Sequence, residues 1–182
     1  MALEIERKFL IADETWRRHA VRSERIVDGL LATSKGRKVR VRLYADRATL
    51  AVKTRKKGRV RFEFEYAIPV IDARHMLRAE CGRSTLAKTR HYVPHGGKTW
   101  EVDEYEAPLA GILLAEVELT EADQALSLPS WIGREVTDDP AFSKTRLFTE
   151  RAGRRFAPKR RPVADARGSR PRQNAAAGRQ GV

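Results

Sequence analysis

The sequence is short of several things, and each shortage narrows what the chain can be. It has one cysteine, Cys81, in 182 residues, so no disulfide can form within the chain. No apolar run approaches the roughly 18 residues that a membrane-spanning helix needs. The start, "MALEIERK", places acids where a signal peptide would carry its apolar stretch. These features set the expectation of a cytoplasmic protein. Aromatic residues are only 7 % of the chain, and Trp16, Trp100 and Trp131 read as packing residues. The four histidines (His19, His75, His91 and His95) lack the spacing of metal ligands.

What the chain has is charge, unevenly placed. The net charge of +13 suggests a polyanion partner. Yet residues 151–182 hold ten Lys/Arg against one acid, Asp165, a net +9. Residues 1–150 hold 27 basic and 23 acidic residues, a net +4. The expected organisation is one domain over 1–150 followed by a disordered basic tail over 151–182, rich in Arg, Pro, Gly and Ala. Two readings of the tail stay open: weak, salt-dependent contact with nucleic acid or polyphosphate, and a solubilising appendage without a specific partner.

Residues 1–120 read mainly as strands. In "LEIERKFLI", Glu4, Glu6 and Lys8 share one face, while Leu3, Ile5, Arg7 and Phe9 share the other. Further strands are predicted over 25–33, 37–44, 48–55, 59–68, 84–93, 97–106 and 111–120. A helix is predicted over 69–81, opened by Pro69 and closed near Cys81 and Gly82. Short helices are predicted over 121–126 and 138–148, the latter with Asp138 or Asp139 as N-cap. About eight antiparallel strands can close into a barrel, which removes the sheet edges.

In seven of the eight strands one face is charged while the other is largely apolar: Glu4, Glu6 and Lys8; Lys38, Arg40 and Arg42; Lys53 and Arg55; Arg61, Glu63 and Glu65; Lys88 and Arg90; Glu101 and Asp103; Glu116 and Glu118. Such faces can point outward to water, or inward into a wide barrel whose outer side is covered by helices. The signs of the charges discriminate between the two. They segregate by strand, and like charges side by side repel. Each cluster therefore wants a ligand of opposite sign. Clustered carboxylates suit a hard divalent cation, Mg²⁺ or Mn²⁺. Clustered Arg and Lys suit phosphate. A metal-chelated oligophosphate satisfies both. Lys88 is also a candidate for activating water, if crowding by Arg90 lowers its pKa, with plain phosphate binding as the other reading.

These residues resemble the CYTH family, also called triphosphate tunnel metalloenzymes. "EIERK" matches the Glu-x-Glu-x-Lys signature. "VRVR" (39–42), "LAVK" (50–53), "RFEFE" (61–65), "KTR" (88–90), "WEVDEYE" (100–106), "AEVEL" (115–119) and "WIGREVTDDPAFS" (131–143) follow in the family's order. The resemblance spans about residues 2–148. It implies an α+β fold built on an eight-stranded antiparallel barrel, a tunnel lined by polar side chains. It also implies a divalent-metal-dependent phosphohydrolase acting on triphosphate groups, most often inorganic tripolyphosphate. Thiamine-triphosphatases, RNA triphosphatases and class IV adenylyl cyclases are similar.

By motif, the resemblance assigns Glu4, Glu6, Glu116 and Glu118 as metal ligands, with Glu63, Glu65 and Asp103 contributing directly or through water. Glu4, Glu6 and Lys88 then carry the catalytic step. Lys8, Arg40, Arg42, Lys53, Lys88, Arg90 and Arg134 hold phosphate. Glu101 and Asp103 also fit a solvated pair, and Arg55, Arg59 and Lys38 read as surface residues. Two departures from the family pattern stand out. Asp28, Gly29, Leu30 and Leu31 replace a Gln-Gly-Tyr-Leu stretch, and Phe142, Ser143 and Lys144 replace Tyr-Ser-Asn. Lys144 is expected to face solvent. Beside triphosphate hydrolysis, a non-catalytic barrel that binds polyphosphate or RNA stays open.

Overall fold

The computed structural model describes residues 2–57, 60–82 and 84–150. The basic segment 151–182, expected to be disordered, lies outside the described residues, as does Arg59. Nine strands form one antiparallel sheet. They are β1 (Ala2–Ile11), β2 (Arg22–Ser34), β3 (Arg37–Leu43), β4 (Ala48–Lys53), β5 (Val60–Ile68), β6 (Thr85–His95), β7 (Lys98–Tyr105), β8 (Leu113–Glu118) and β9 (Ile132–Glu135). The order is β5-β4-β3-β2-β6-β7-β8-β1-β9, and β1 also pairs with β5.

That last pairing closes the barrel. The first residues of β1 pair with β5, Leu3 opposite Phe62 and Glu4 opposite Arg61. The middle of β1 pairs with β8, Glu6 opposite Glu118 and Lys8 opposite Glu116. Strands β1 to β8 thus make the expected eight-stranded antiparallel barrel. The short β9, which the sequence reading did not anticipate, adds to the far end of β1, with Glu135 opposite Phe9. Two tight turns help set the register. Lys35 and Gly36 (φ 49° and 82°) join β2 to β3, and Gly96 and Gly97 (φ 59° and 72°) join β6 to β7. Positive φ at both central residues gives a turn whose twist matches that of the paired strands.

Period-two alternation sends the charged faces inward. Opposed residues of an antiparallel pair share a face, so Glu4, Glu6, Lys8, Glu116 and Glu118 line the interior together. Further along the same strands the interior becomes apolar. Leu10, Leu30, Leu86, Tyr105 and Leu114 pack with Leu109, Ile112, Val136 and Leu147 into a floor that closes one end. Outside, Trp16, Trp100, Trp131 and Phe9 form one cluster, the Trp100 and Trp131 rings 5.7 Å apart. A 3₁₀ turn over Glu14–His19, also unanticipated, brings Trp16 there, with Asp13 accepting from the Thr15 N–H as its cap.

Helix α1 (Val70–His75) continues as a π-helical turn over Met76–Glu80. Together they cover Val41, Ala48 and Leu50, with Cys81 buried in the same cluster. Gly29 lies beneath them. A Cβ there would come within 2.5 Å of Cys81 Sγ and 2.6 Å of Leu77 Cδ2, so this close approach needs glycine.

Two helix expectations need correcting. Residues 121–126 form no helix. The Thr120 backbone N–H and hydroxyl donate to Gln124 Oε1 instead, a local side-chain bond that competes with the first helical turn. The predicted helix over 138–148 is broken into a 3₁₀ turn, Pro140–Phe142, and helix α2, Lys144–Glu150. Asp139 caps the turn by accepting from the Ala141 N–H. No helix among the described residues is long and apolar enough to cross a membrane.

Leu147 is fully buried in the barrel floor. Leu147→Ala is expected to cost about 2–5 kcal/mol in urea unfolding, the range for a truncated core leucine. A loss below about 1 kcal/mol would show that α2 does not seal the barrel.

Candidate active site

Above the floor the barrel holds a cavity of about 390 Å³. Its wall includes Glu4, Glu6, Arg40, Arg42, Lys53, Glu63, Glu65, Arg90, Glu116 and Glu118, all singled out in the sequence. Leu3, Glu101, Lys144 and the rings of Tyr44 and Tyr92 complete it. Enclosing so much charge is costly unless every group finds a partner, and the contacts show how this is met.

Arg42 forks onto Asp28, with Nε 2.6 Å from Oδ1 and NH2 3.0 Å from Oδ2. Arg90 forks onto Asp103 at 2.7 and 2.8 Å, donates to Glu101, and reaches Glu116 Oε2 at 3.3 Å. Arg40 reaches Glu63 at 3.3 Å and Glu65 at 3.2 Å. Lys53 donates to Glu4 at 3.0 Å and also to Glu63. Arg61 donates to Glu4 at 3.0 Å and Glu6 at 3.3 Å. Lys88 lies behind the wall, fully buried, donating to Asp103.

The interior is not electrically uniform. Around Lys38, burial and the cations Arg61, Lys144, Lys8 and Lys53 push the ammonium pKa down to about 8. Lys53 is lowered by burial, Arg40 and Lys144. Around Glu118, burial and the neighbouring Glu101, Glu4, Glu6 and Glu63 push the carboxyl pKa up. Glu63 is raised too, mainly by burial, against the pull of Lys53. The barrel interior thus has a cationic bank and an anionic bank, each repelling itself. Glu116 sits where they meet. Burial disfavours its charge, but Lys144, Lys8 and Arg90 outweigh that and hold it well below the usual carboxylate range. Lys88 is lowered to about 7 by burial and by Arg90.

Of the residues singled out in the sequence, Lys8 lines an adjoining cavity rather than the main one, and its ammonium reaches across to Glu116. Lys88 and Asp103 form a layer beneath Arg90. Arg134 stands apart: its side chain is 61 % exposed and bonds Asp139 at 3.3 Å. Arg55 is exposed, as expected. Two surface expectations are overturned. Lys38 is half-buried and lines the adjoining cavity. Lys144, expected in solvent, is only 14 % exposed and donates to Glu116 Oε2 at 2.9 Å. It was legible in principle, because it lies three residues before the buried Leu147 and so shares its helix face. The sequence reading also gave no role to Asp28, which anchors Arg42, or to Arg61, which neutralises Glu4, although Arg61 shares the inward alternation of Glu63 and Glu65.

Among the described residues, no three His, Cys, Asp or Glu side chains stand ready-gathered around a cation position. Two features nonetheless fit a hard divalent ion. Glu116 Oε1 is buried without a hydrogen bond, for Lys8 Nζ approaches to 3.0 Å but off the bond direction. And the mutually repelling Glu118, Glu4, Glu6 and Glu63 offer only carboxylate oxygens, the donors that Mg²⁺ and Mn²⁺ prefer.

A family model for the CYTH domain matches residues 2–147. The chain belongs to the CYTH domain family. The match takes in all nine strands and the start of α2, so every wall residue of the cavity lies within the CYTH region. The inorganic triphosphatase of Acetivibrio thermocellus is 36 % identical over 147 residues, covering 81 % of this chain and 94 % of that relative. The inorganic triphosphatase of Nitrosomonas europaea is 32 % identical over 149 residues, covering 79 % and 95 %. A solved inorganic triphosphatase structure superposes with a TM-score of 0.59 at 28 % identity, over 81 % of this chain and 95 % of the other.

Because Glu118 holds its proton more tightly in the folded than in the unfolded chain, its ionised form subtracts stability above the ordinary carboxylate range. Glu118→Gln is expected to raise the Tm of the metal-free protein at about pH 7.5 and to weaken Mn²⁺ binding in the same samples. A lowered Tm would mean that Glu118 is held by attraction rather than repelled.

Proposed function

We propose that the chain is a cytoplasmic, metal-dependent triphosphatase that hydrolyses inorganic tripolyphosphate to pyrophosphate and phosphate. One observation carries this reading. In the main cavity, cations that crowd one another (Lys53, Arg40 and Lys144) face carboxylates that crowd one another (Glu118, Glu101, Glu4, Glu6 and Glu63), and a metal-chelated chain of phosphates relieves both. The similarity to two relatives named inorganic triphosphatase supports it.

In this reading Glu4, Glu6, Glu116 and Glu118 hold Mg²⁺ or Mn²⁺, with Glu63 and Glu65 beside them and Asp103 acting only through Arg90. The bound ion supplies polarisation of the phosphoryl oxygens and a more acidic water. Arg40, Arg42, Lys53 and Arg90 bind the phosphate oxygens and stabilise charge on the leaving pyrophosphate. Arg42 and Arg90 arrive already oriented, because Asp28 and Asp103 hold each guanidinium by two bonds. Lys8 braces Glu116 from the other side. Lys88, behind Arg90, keeps Asp103 in place. The apolar floor closes the far end and keeps bulk water from crossing the site.

The cavity wall limits where a base could stack. Tyr44 and Tyr92 are the aromatic rings of the cavity wall. One face of each is occupied, by Arg47 at 3.6 Å and Arg22 at 4.0 Å. A nucleobase or thiamine ring is therefore left at most the opposite face of each.

The test is phosphate release from tripolyphosphate, ATP, thiamine triphosphate and long polyphosphate, with Mg²⁺, with Mn²⁺ and with EDTA, alongside a cyclic AMP assay. Tripolyphosphate is expected to be the best substrate, with no turnover in EDTA. Glu4→Gln is expected to abolish turnover while the protein stays folded, and Arg40→Ala mainly to raise KM. Cyclic AMP from ATP would assign the cavity to a cyclase. Tight binding of every polyanion without turnover would make the barrel a binding protein.

A further inference from the structure

Lys144 is the departure in this chain that the metal reading does not absorb. It is the first residue of α2, and Leu147 on the same helix face is fixed in the barrel floor. That anchor aims the Lys144 side chain into the interior. There it lines both the main cavity and the adjoining one of about 250 Å³, so that Lys144 and Glu6 form the partition between them.

Glu116 gathers three cations, and they are not equally held. Arg90 reaches it at 3.3 Å while forked onto Asp103. Lys8 Nζ, carried on β1, lies 3.0 Å from the other oxygen. Lys144 Nζ donates to Oε2 at 2.9 Å, and this is its one hydrogen bond among the described residues. Lys8 and Arg90 are carried on strands of the barrel wall, whereas Lys144 is the first residue of the short helix α2, so it is the cation freest to draw back from Glu116. The adjoining cavity, where Glu6, Asp138 and Asp139 stand among Lys8, Lys38, Lys56 and Arg61, gives the Lys144 ammonium space to move into.

We propose that Lys144 is a tethered counter-cation that holds Glu116 through Oε2 before metal binds and competes, as a positive charge, with a divalent ion for that carboxylate. This rests on the reading of Glu116 as a metal ligand. Lys144 is a positioning residue: it keeps a buried carboxylate ionised and oriented, and it weakens metal binding at Glu116. The cavity thereby stays neutralised when empty and takes up metal against the charge of one internal ion pair.

Mn²⁺ binding to the full chain, read from the free-ion electron paramagnetic resonance signal without substrate, tests this directly. Lys144→Met and Lys144→Gln, the second keeping a hydrogen-bond donor should the first fold poorly, are each expected to tighten Mn²⁺ about tenfold or more. That is the scale on which one unit charge at this range acts in a partly buried site. Glu116→Gln should erase the gain when combined with either variant, since the two residues act through one contact. Equal Mn²⁺ affinity in wild type and both folded Lys144 variants would overturn the competition while leaving the metal reading intact. Absence of Mn²⁺ binding in every form would overturn both.

Discussion

The structure depends on mutual neutralisation inside a closed barrel. Carboxylates and cations that repel their own kind are confined in one cavity, and the folded state is tolerable only because each bank faces the other. Arg61 and Lys53 hold Glu4, Arg40 holds Glu63 and Glu65, and three cations converge on Glu116. A buried ion pair is weak evidence for stability, since desolvation offsets much of the attraction. So extensive a set of pairs points instead to function, with the internal contacts standing in for those a charged ligand would make.

The fold supplies that cavity with little beyond period-two alternation and barrel closure. Pairing β1 with β5 on one side and β8 on the other puts Glu4, Glu6, Glu116 and Glu118 on one stretch of wall. The gradient along the strands, from Glu118 and Glu116 to Leu114 on β8 and from Glu6 and Lys8 to Leu10 on β1, makes one end a ligand chamber and the other a packed floor. Helix α2 serves both parts: Leu147 completes the floor and Lys144 enters the chamber. Stability and electrostatics meet in one short element.

Much of this was legible in the sequence, for a physical reason. Strands announce their inner face by skipping residues, so Glu4, Glu6, Arg40, Arg42, Glu116 and Glu118 could be grouped before any coordinates. What alternation cannot convey is which strand lies beside which, and through that, who neutralises whom. Asp28 looked incidental because its partner, Arg42, is set by the β2–β3 register. Lys38 looked exposed because the crowding around it comes from other elements, β1, β4, β5 and α2. Lys144 was misplaced because a lysine in a short helical stretch ordinarily faces water, and only the burial of Leu147 fixes the helix rotation. The helix predicted over 121–126 failed for a local reason, the Gln124 side chain bonding the Thr120 backbone, and β9 is too short to declare a period.

The central claim is that the two banks are complementary to a metal-chelated anion more than to either component alone. Calorimetric binding of a non-hydrolysable tripolyphosphate analogue, in Mg²⁺ and in EDTA, tests it most directly. The account predicts that Mg²⁺ tightens the analogue about tenfold or more, within the usual range of coupling between two ligands. Equal affinity in EDTA would show that the cationic bank alone binds the anion, and would contradict the account.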